Sequence, residues 1–164
     1  MTARINTASL DFSTVAQMVY SQVTAVGTGF TVIPVDDTIP QITEGDQYMT
    51  VSVTPKAVGN ILVVDALVLL SHSAPNTWLS AAIFRDAVSN ALAANAAFAE
   101  TGGGGVVVPV RAYHTVASLS AITFRLRAGG HQAGTTTFNG TSASRLFGGI
   151  GISSLQVMEL AAVV

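Results

Sequence analysis

Apolar and polar residues alternate in short runs along most of the chain, and Gly, Pro, Asn and Asp separate the runs. A period of two marks a half-buried β-strand, whose side chains point alternately to opposite faces. Residues 18–25 (MVYSQVTA) predict a first strand. Residues 30–35 (FTVIPV) predict a second, which Pro34 ends or confines to a sheet edge because it lacks an N–H for the ladder. Residues 47–55 alternate cleanly, with Tyr48, Thr50, Ser52 and Thr54 on one face and Met49, Val51 and Val53 on the other. Residues 61–72 (ILVVDALVLLSH) are apolar at both parities and predict a central strand buried from both sides. Residues 77–85, 106–116 and 121–129 predict three more. In the last of these Ile122, Phe124 and Leu126 face one way, and Thr123, Arg125 and Arg127 the other. Residues 129–149 read as a long polar loop region with a short strand at 135–138. The closing strand, 151–160, puts Glu159 on the face of Leu155 and Val157. That parity predicts a carboxylate near the strand end that is hydrogen-bonded or paired with an arginine, from this chain or from another subunit.

The middle of the chain is open to two readings. Residues 85–100 (RDAVSNALAANAAFAE) suit a helix capped by Asp86, because alanine favours helix. They equally suit a strand, a turn at 86–90 and a return strand. In all, about eight to ten strands at roughly ten-residue spacing predict an antiparallel sandwich or jelly roll. Heptads, alternation of strand with helix, and internal repeats are absent from the sequence.

Composition sharpens this picture. Of the 164 residues 49% are hydrophobic and 10% charged, against about 25% charged in an average soluble domain. Lys56 is the single lysine, and the mean hydropathy is +0.54. A surface so poor in charge is either built of Ser, Thr, Asn and Gly or covered by other subunits. Exposed apolar area favours the second. Seven cations spread along a chain of net charge −2 make no basic patch, so nucleic-acid binding is not expected. The absence of cysteine excludes a disulfide framework, a thiolate metal site and a cysteine nucleophile. The longest apolar run, 61–70, is about half of the ~20 residues a membrane helix needs, and Asp65 interrupts it, so membrane insertion is not expected. Residues 1–12 lack the apolar core of a signal peptide. The expectation is a soluble, unprocessed, single-domain chain.

Candidate chemistry is sparse. The glycines of TGGGGVVVP, 101–109, run into valine instead of the Gly-Lys-Ser/Thr of a phosphate loop, so a hairpin loop is favoured. His72, His114 and His131 have no metal-ligand spacing, although a histidine on a trimer axis would become three. Asp36, Asp37, Glu44 and Asp46 form an acidic loop with fewer oxygen ligands than a calcium loop uses. There is no Gly-x-Ser-x-Gly elbow. No catalytic residue, cofactor or metal is assigned, and the chain is not expected to be an enzyme. A lone buried carboxylate is costly, so Asp65 predicts a structural ion pair with Arg85, Arg125 or Arg127, and Asp65–Arg125 is the pair chosen. Trp78 reads as a core-edge residue or as a platform on which a sugar stacks.

Four stretches, taken in order, resemble the small domain at the C-termini of bacteriophage tail fibres, tail needles and head fibres. They are VAQMVYSQVTAVGTGFTVIPV, YMTVSVTPKAVGNILVVDALVLL, AAIFRDAVSNALA and SSLQVMEL, and together they run from about Val15 to Leu160. The resemblance implies an all-β, antiparallel sandwich, a tumour-necrosis-factor-like jelly roll that assembles as a homotrimer. It implies that residues 85–94 are a hairpin and not a helix, with 93–105 as a long loop. The domain of that family usually follows a long shaft. Here residues 1–15 are read as an anchoring arm onto other virion proteins, 16–160 as the jelly roll and 161–164 as a tail. The resemblance further implies a virion structural protein made in the host cytoplasm, a trimeric surface knob that decorates or stabilises the capsid or caps a short fibre. The alternative is the receptor-binding tip of a tail fibre recognising a host glycan or outer-membrane protein. Its contacts would be Trp78, His131 and Asn139, on the loops around 71–78, 99–105 and 129–142.

Overall fold

The computed structural model describes residues 15–162, so the N-terminal arm up to residue 14 and residues 163–164 of the tail lie outside the described residues. The strands are β1 (Val15–Val23), β2 (Gly27–Gly29), β3 (Asp46–Val53), β4 (Ile61–His72), β5 (Thr77–Arg85), β6 (Ala93–Ala99), β7 (Gly105–Thr115), β8 (Ile122–Gly130), β9 (Thr136–Phe138), β10 (Gly140–Thr141), β11 (Ser144–Arg145) and β12 (Ser153–Leu160). One sheet runs β1-β12-β4-β7, with β9 and β2 added at the end of β4. The other runs β3-β8-β5-β6. Every ladder is antiparallel, and the chain crosses repeatedly from one sheet to the other. This is the expected jelly-roll sandwich.

The inner faces make one core. Leu62, Val64, Ala66, Val68 and Leu70 of β4 meet Met49, Val51 and Val53 of β3, Leu79, Ala81 and Ile83 of β5, and Phe124 and Leu126 of β8. Each large side chain removed from water contributes about 1.5–3 kcal/mol. The alternation read at 47–55 holds from Met49, with Met49, Val51 and Val53 buried and Thr50 and Ser52 exposed; Tyr48, expected on the face of Thr50, instead packs against the core and stacks on Phe138, because a bulge shifts the register between Gln47 and Met49.

Residues 30–35 are not a second strand; with the loop that follows they form one segment, 30–45. Pro34 offers no N–H, and the segment crosses the outer face of the β3-β8-β5-β6 sheet as a strap. Ile33 N–H donates to Gly130 O (3.0 Å), Ile42 N–H to Ser89 O (2.7 Å) and Ala91 N–H to Pro40 O (2.9 Å). Arg127 donates to the Glu44 and Gly45 carbonyls at 2.8 and 2.7 Å. Ile33 packs on Ala82 and Phe84 in a second small core, flanked by Ile42 and Ala91. The approach is so close that a Cβ on Gly129 would stand 2.4 Å from Thr31 O, so only glycine fits there.

The hairpin implied for 85–94 is present and the helix is not: Leu92 N–H donates to Ile83 O (2.8 Å) across the turn. Residues 93–99, expected to be loop, are a strand paired with β5 from Ile83↔Ala93 to Thr77↔Ala99. Their inward alanines are small enough to let β6 lie against the end of the core, and tertiary pairing overrides helix propensity. The expectation that β4 is buried on both sides is also corrected. Its inner residues are buried, whereas Ile61 and Leu67 on the outer face are exposed.

Glu159 is fully buried and holds the sandwich end together without a cation. Its carboxylate accepts from Gln17 Nε2 (2.5 Å), Asn60 Nδ2 (2.6 Å), Lys56 N–H (2.8 Å) and Ala57 N–H (3.3 Å). Burial pushes its pKa up, but these donors together outweigh burial and hold it below the usual carboxylate value. The partner is therefore a cage of amides within the chain and not an arginine. Replacing Glu159 by Gln turns an acceptor into a donor facing donors, so E159Q should lose about 2–4 kcal/mol in urea unfolding. A folded-state pKa below the unfolded value means the stabilisation is present above about pH 4.5 and is lost as the pH falls through the folded pKa. That acid limb should be missing in E159Q.

Candidate functional site

Among the described residues no strap crosses the outer face of the β1-β12-β4-β7 sheet. Strand register lines its side chains up in rows. One row is Met18, Met158, Val63 and Tyr113. The next is Tyr20, Gln156, Asp65 and Arg111, and the third is Gln22, Ser154, Leu67 and Pro109. Leu67 is 47% exposed and Tyr113 64% exposed, and Met18, Tyr20 and Val107 are also open. Large apolar groups displayed in register across four strands form a patch of the kind that marks an interaction surface.

Asp65 and Arg111 are the charges among the outward positions of these four strands. Arg111 Nε donates to Asp65 Oδ1 (2.5 Å) and Nη2 to Oδ2 (3.2 Å), a two-point contact. The expected Asp65–Arg125 pair does not form. Asp65 faces outward instead of into the core, and register places it directly opposite Arg111. Arg125 lies in the other sheet, where it donates to the Asp86 carbonyl. A shallow depression of about 600 Å³ lies beside the pair, bounded by Asp65, Leu67, Pro109, Arg111, Ser154 and Gln156.

A second surface sits on the opposite sheet. Trp78 and Phe98 are cross-strand partners with ring centroids 5.2 Å apart at 59°, and they are 41% and 43% exposed. His131 N–H donates to Trp78 O (2.9 Å), and Trp78 N–H donates to His131 Nδ1 (3.0 Å). The structure thus brings two of the three sequence candidates together and adds Phe98, which sequence reasoning had left in a loop.

Asn139, the third candidate, is a structural residue. It is buried in the left-handed region (φ 57°). Its amide donates to Val23 O (2.6 Å) and Ala25 O (3.2 Å), and its carbonyl accepts from Ser153 Oγ (2.6 Å). Every side-chain atom that would read a receptor is used to join the end of β1 to the start of β12.

His72 and His131 are close enough for the charge of one to act on the other, but among the described residues no three His, Asp or Glu side chains form a metal-binding group. His72 is buried, with Nδ1 accepting from Ala74 N–H (3.1 Å) and Nε2 unpartnered. His114 lies 3.1 Å from Arg85 Nη1. The acidic loop is spent locally: Asp36 accepts from Thr38 N–H (2.8 Å) and Asp46 from Thr31 N–H (2.9 Å). The glycine run joins β6 to β7, with Gly103 N–H donating to His72 O (2.7 Å).

No family model matches the chain, and no curated protein matches it. Similar solved structures include Eiger TNF from S. frugiperda, at 12% identity and a TM-score of 0.45, covering 90% of this chain and 95% of that one. Another is the infectious bursal disease virus VP2 subviral particle, at 11% identity and a TM-score of 0.38, covering 91% of this chain and 38% of that one.

Burial lowers the pKa of His72 below its ordinary value, against the Ala74 hydrogen bond, and burial followed by the Arg85 charge lowers that of His114. The unfolded chain therefore takes up protons before the folded one does. Stability should fall as the pH drops below about 6.5, with a slope of up to about 1.4 kcal/mol per pH unit for each histidine. Urea unfolding across neutral to mildly acidic pH measures this, and His114→Gln should remove one share of the slope.

Proposed function

We propose that the chain is a non-enzymatic bacteriophage virion structural protein, a homotrimeric surface knob that decorates or stabilises the capsid or caps a short fibre. The observation that carries this reading is the contrast between the two outer sheet faces. Among the described residues the strap crosses part of one face, and nothing crosses the other, where large apolar groups stand open. A jelly roll that resembles the phage knob domain, with 10% charged residues, fits a protein that finishes burying itself by association. A stable contact needs about 800 Å² per partner, the scale of a four-stranded face. Residues 1–15 serve as the arm onto other virion proteins.

A second reading, the receptor-binding tip, is favoured by the Trp78–Phe98 pair. Two exposed rings with the His131 edge beside them suit the apolar face of a sugar and its hydroxyl groups.

Light scattering on the purified protein at micromolar concentration should give a trimer, and a clean monomer overturns the first reading. Leu67→Asp with Tyr113→Asp should raise the dissociation constant by at least about 100-fold and leave the circular dichroism of the fold intact. For the second reading, the trimer should bind host cells and Trp78→Ala should abolish the binding without changing the trimer. Equal binding by wild type and Trp78→Ala rules that site out.

A further inference from the structure

The open face is not uniformly apolar. Its middle row, Tyr20, Gln156, Asp65 and Arg111, is polar, and the rows on either side are mainly Met, Val, Leu, Pro and Tyr. On an isolated chain this row has little to do. Arg111 is 59% exposed and Asp65 22%, and an ion pair so wetted contributes about 0–1 kcal/mol. Yet the row is equipped for more. Arg111 spends two of its N–H groups on Asp65, lies within hydrogen-bond reach of the Tyr113 hydroxyl, and still has N–H groups to spare. Among the described residues the Gln156 amide and the Tyr20 hydroxyl make no hydrogen bond.

Charge says what kind of surface would meet this face. It carries one acid and one base, already neutralised, with spare donors and spare acceptors side by side. A strongly acidic or basic partner finds no opposing field here. A second copy of this chain brings the same neutral row, with donors to offer to acceptors and acceptors to donors.

We propose that the Tyr20–Gln156–Asp65–Arg111 row sets the register and stoichiometry of self-association. The spare N–H groups of Arg111 meet acceptors of the same row in a second copy, and the apolar rows supply the affinity. The proposal rests on the trimer reading above. A polar row inside an apolar contact disfavours every slipped arrangement, because slippage buries the spare donors and acceptors of the row against apolar groups with no hydrogen-bond partner. It specifies the assembly and adds little to its strength.

The test compares variants of the full chain by sedimentation and native mass spectrometry. Arg111→Leu strands Asp65 only when the row is buried, so it should keep the thermal midpoint of the dilute chain and weaken association by about 100-fold or more. Asp65→Leu/Arg111→Leu should restore association to the wild-type level or tighter, as a mixture of stoichiometries. Asp65→Asn/Arg111→Gln, which keeps hydrogen bonding in the row, should remain a single trimer and serves if the leucine variants do not fold. A monomeric wild type overturns the trimer reading and this proposal with it. A trimeric wild type whose affinity is unchanged by Arg111→Leu overturns this proposal alone. So does a leucine double variant that stays one species, or an Asn/Gln variant that becomes a mixture.

Discussion

A two-sheet sandwich has two inner faces that cover each other and two outer faces that need water or something else. This chain has few charges with which to face water, and the rest of its architecture follows from how it treats the two outer faces. On the β3-β8-β5-β6 sheet the strap of residues 30–45 buries Ala82 and Phe84 under Ile33. Arg127 holds the strap by its backbone carbonyls, which spares a side-chain partner that the sequence has little stock to supply. Among the described residues the β1-β12-β4-β7 sheet has no such device, and Leu67, Tyr113 and Met18 stay open.

The geometry of that open face depends on Glu159. Strand β12 lies between β1 and β4, and its register fixes how the residues of all four strands line up. Glu159 binds Gln17 on β1 and the backbone of residues 56–57, and through Asn60 it reaches the start of β4. A shift of β12 by one residue would break every one of these bonds and turn the strand's faces over. The same shift would scatter the row in which Gln156 stands beside Asp65. A buried carboxylate at one end of the sandwich thus secures the surface pattern at its middle.

Strand parity was readable in the sequence because it depends on neighbours along the chain. The faces of 49–53, 122–127 and 153–160 are as the alternation says, whereas Tyr48 leaves its expected face at a bulge. What could not be read is what depends on partners distant in sequence. Arg111 is the partner of Asp65 across a ladder whose register no local pattern reveals, and both parities of β4 look equally apolar although one is buried throughout and the other leaves Ile61 and Leu67 exposed. The strap looked like a strand because Phe30, Val32 and Val35 are good strand residues, and nothing nearby says that the slot beside β8 is taken by a crossing chain. β6 is alanine-rich and sends a helix signal that its pairing with β5 overrides. Asn139 looks like a loop-tip contact, yet its amide is enclosed by the ends of β1 and β12.

The two candidate surfaces lie on opposite sides of the sandwich. Asp65, Leu67 and Tyr113 point away from the core on one sheet. Trp78 shares its parity with Ser80, Ala82 and Phe84 on the outer face of the other, and Phe98 stands beside it. The thickness of the domain, about 10 Å between the sheets, separates them. An assembly that buries the open sheet therefore turns the strapped sheet outward, and the aromatic pair goes with it. On the two proposed readings, association and recognition would use different surfaces. The strap itself stops short of covering the pair: it crosses Ala82 and Phe84 and leaves Trp78 and Phe98 bare at the far end of the β5-β6 hairpin. Large exposed rings cost solubility, and here two of them stand together beside His131 on a face whose other bare positions include the polar Thr50 and Ser52.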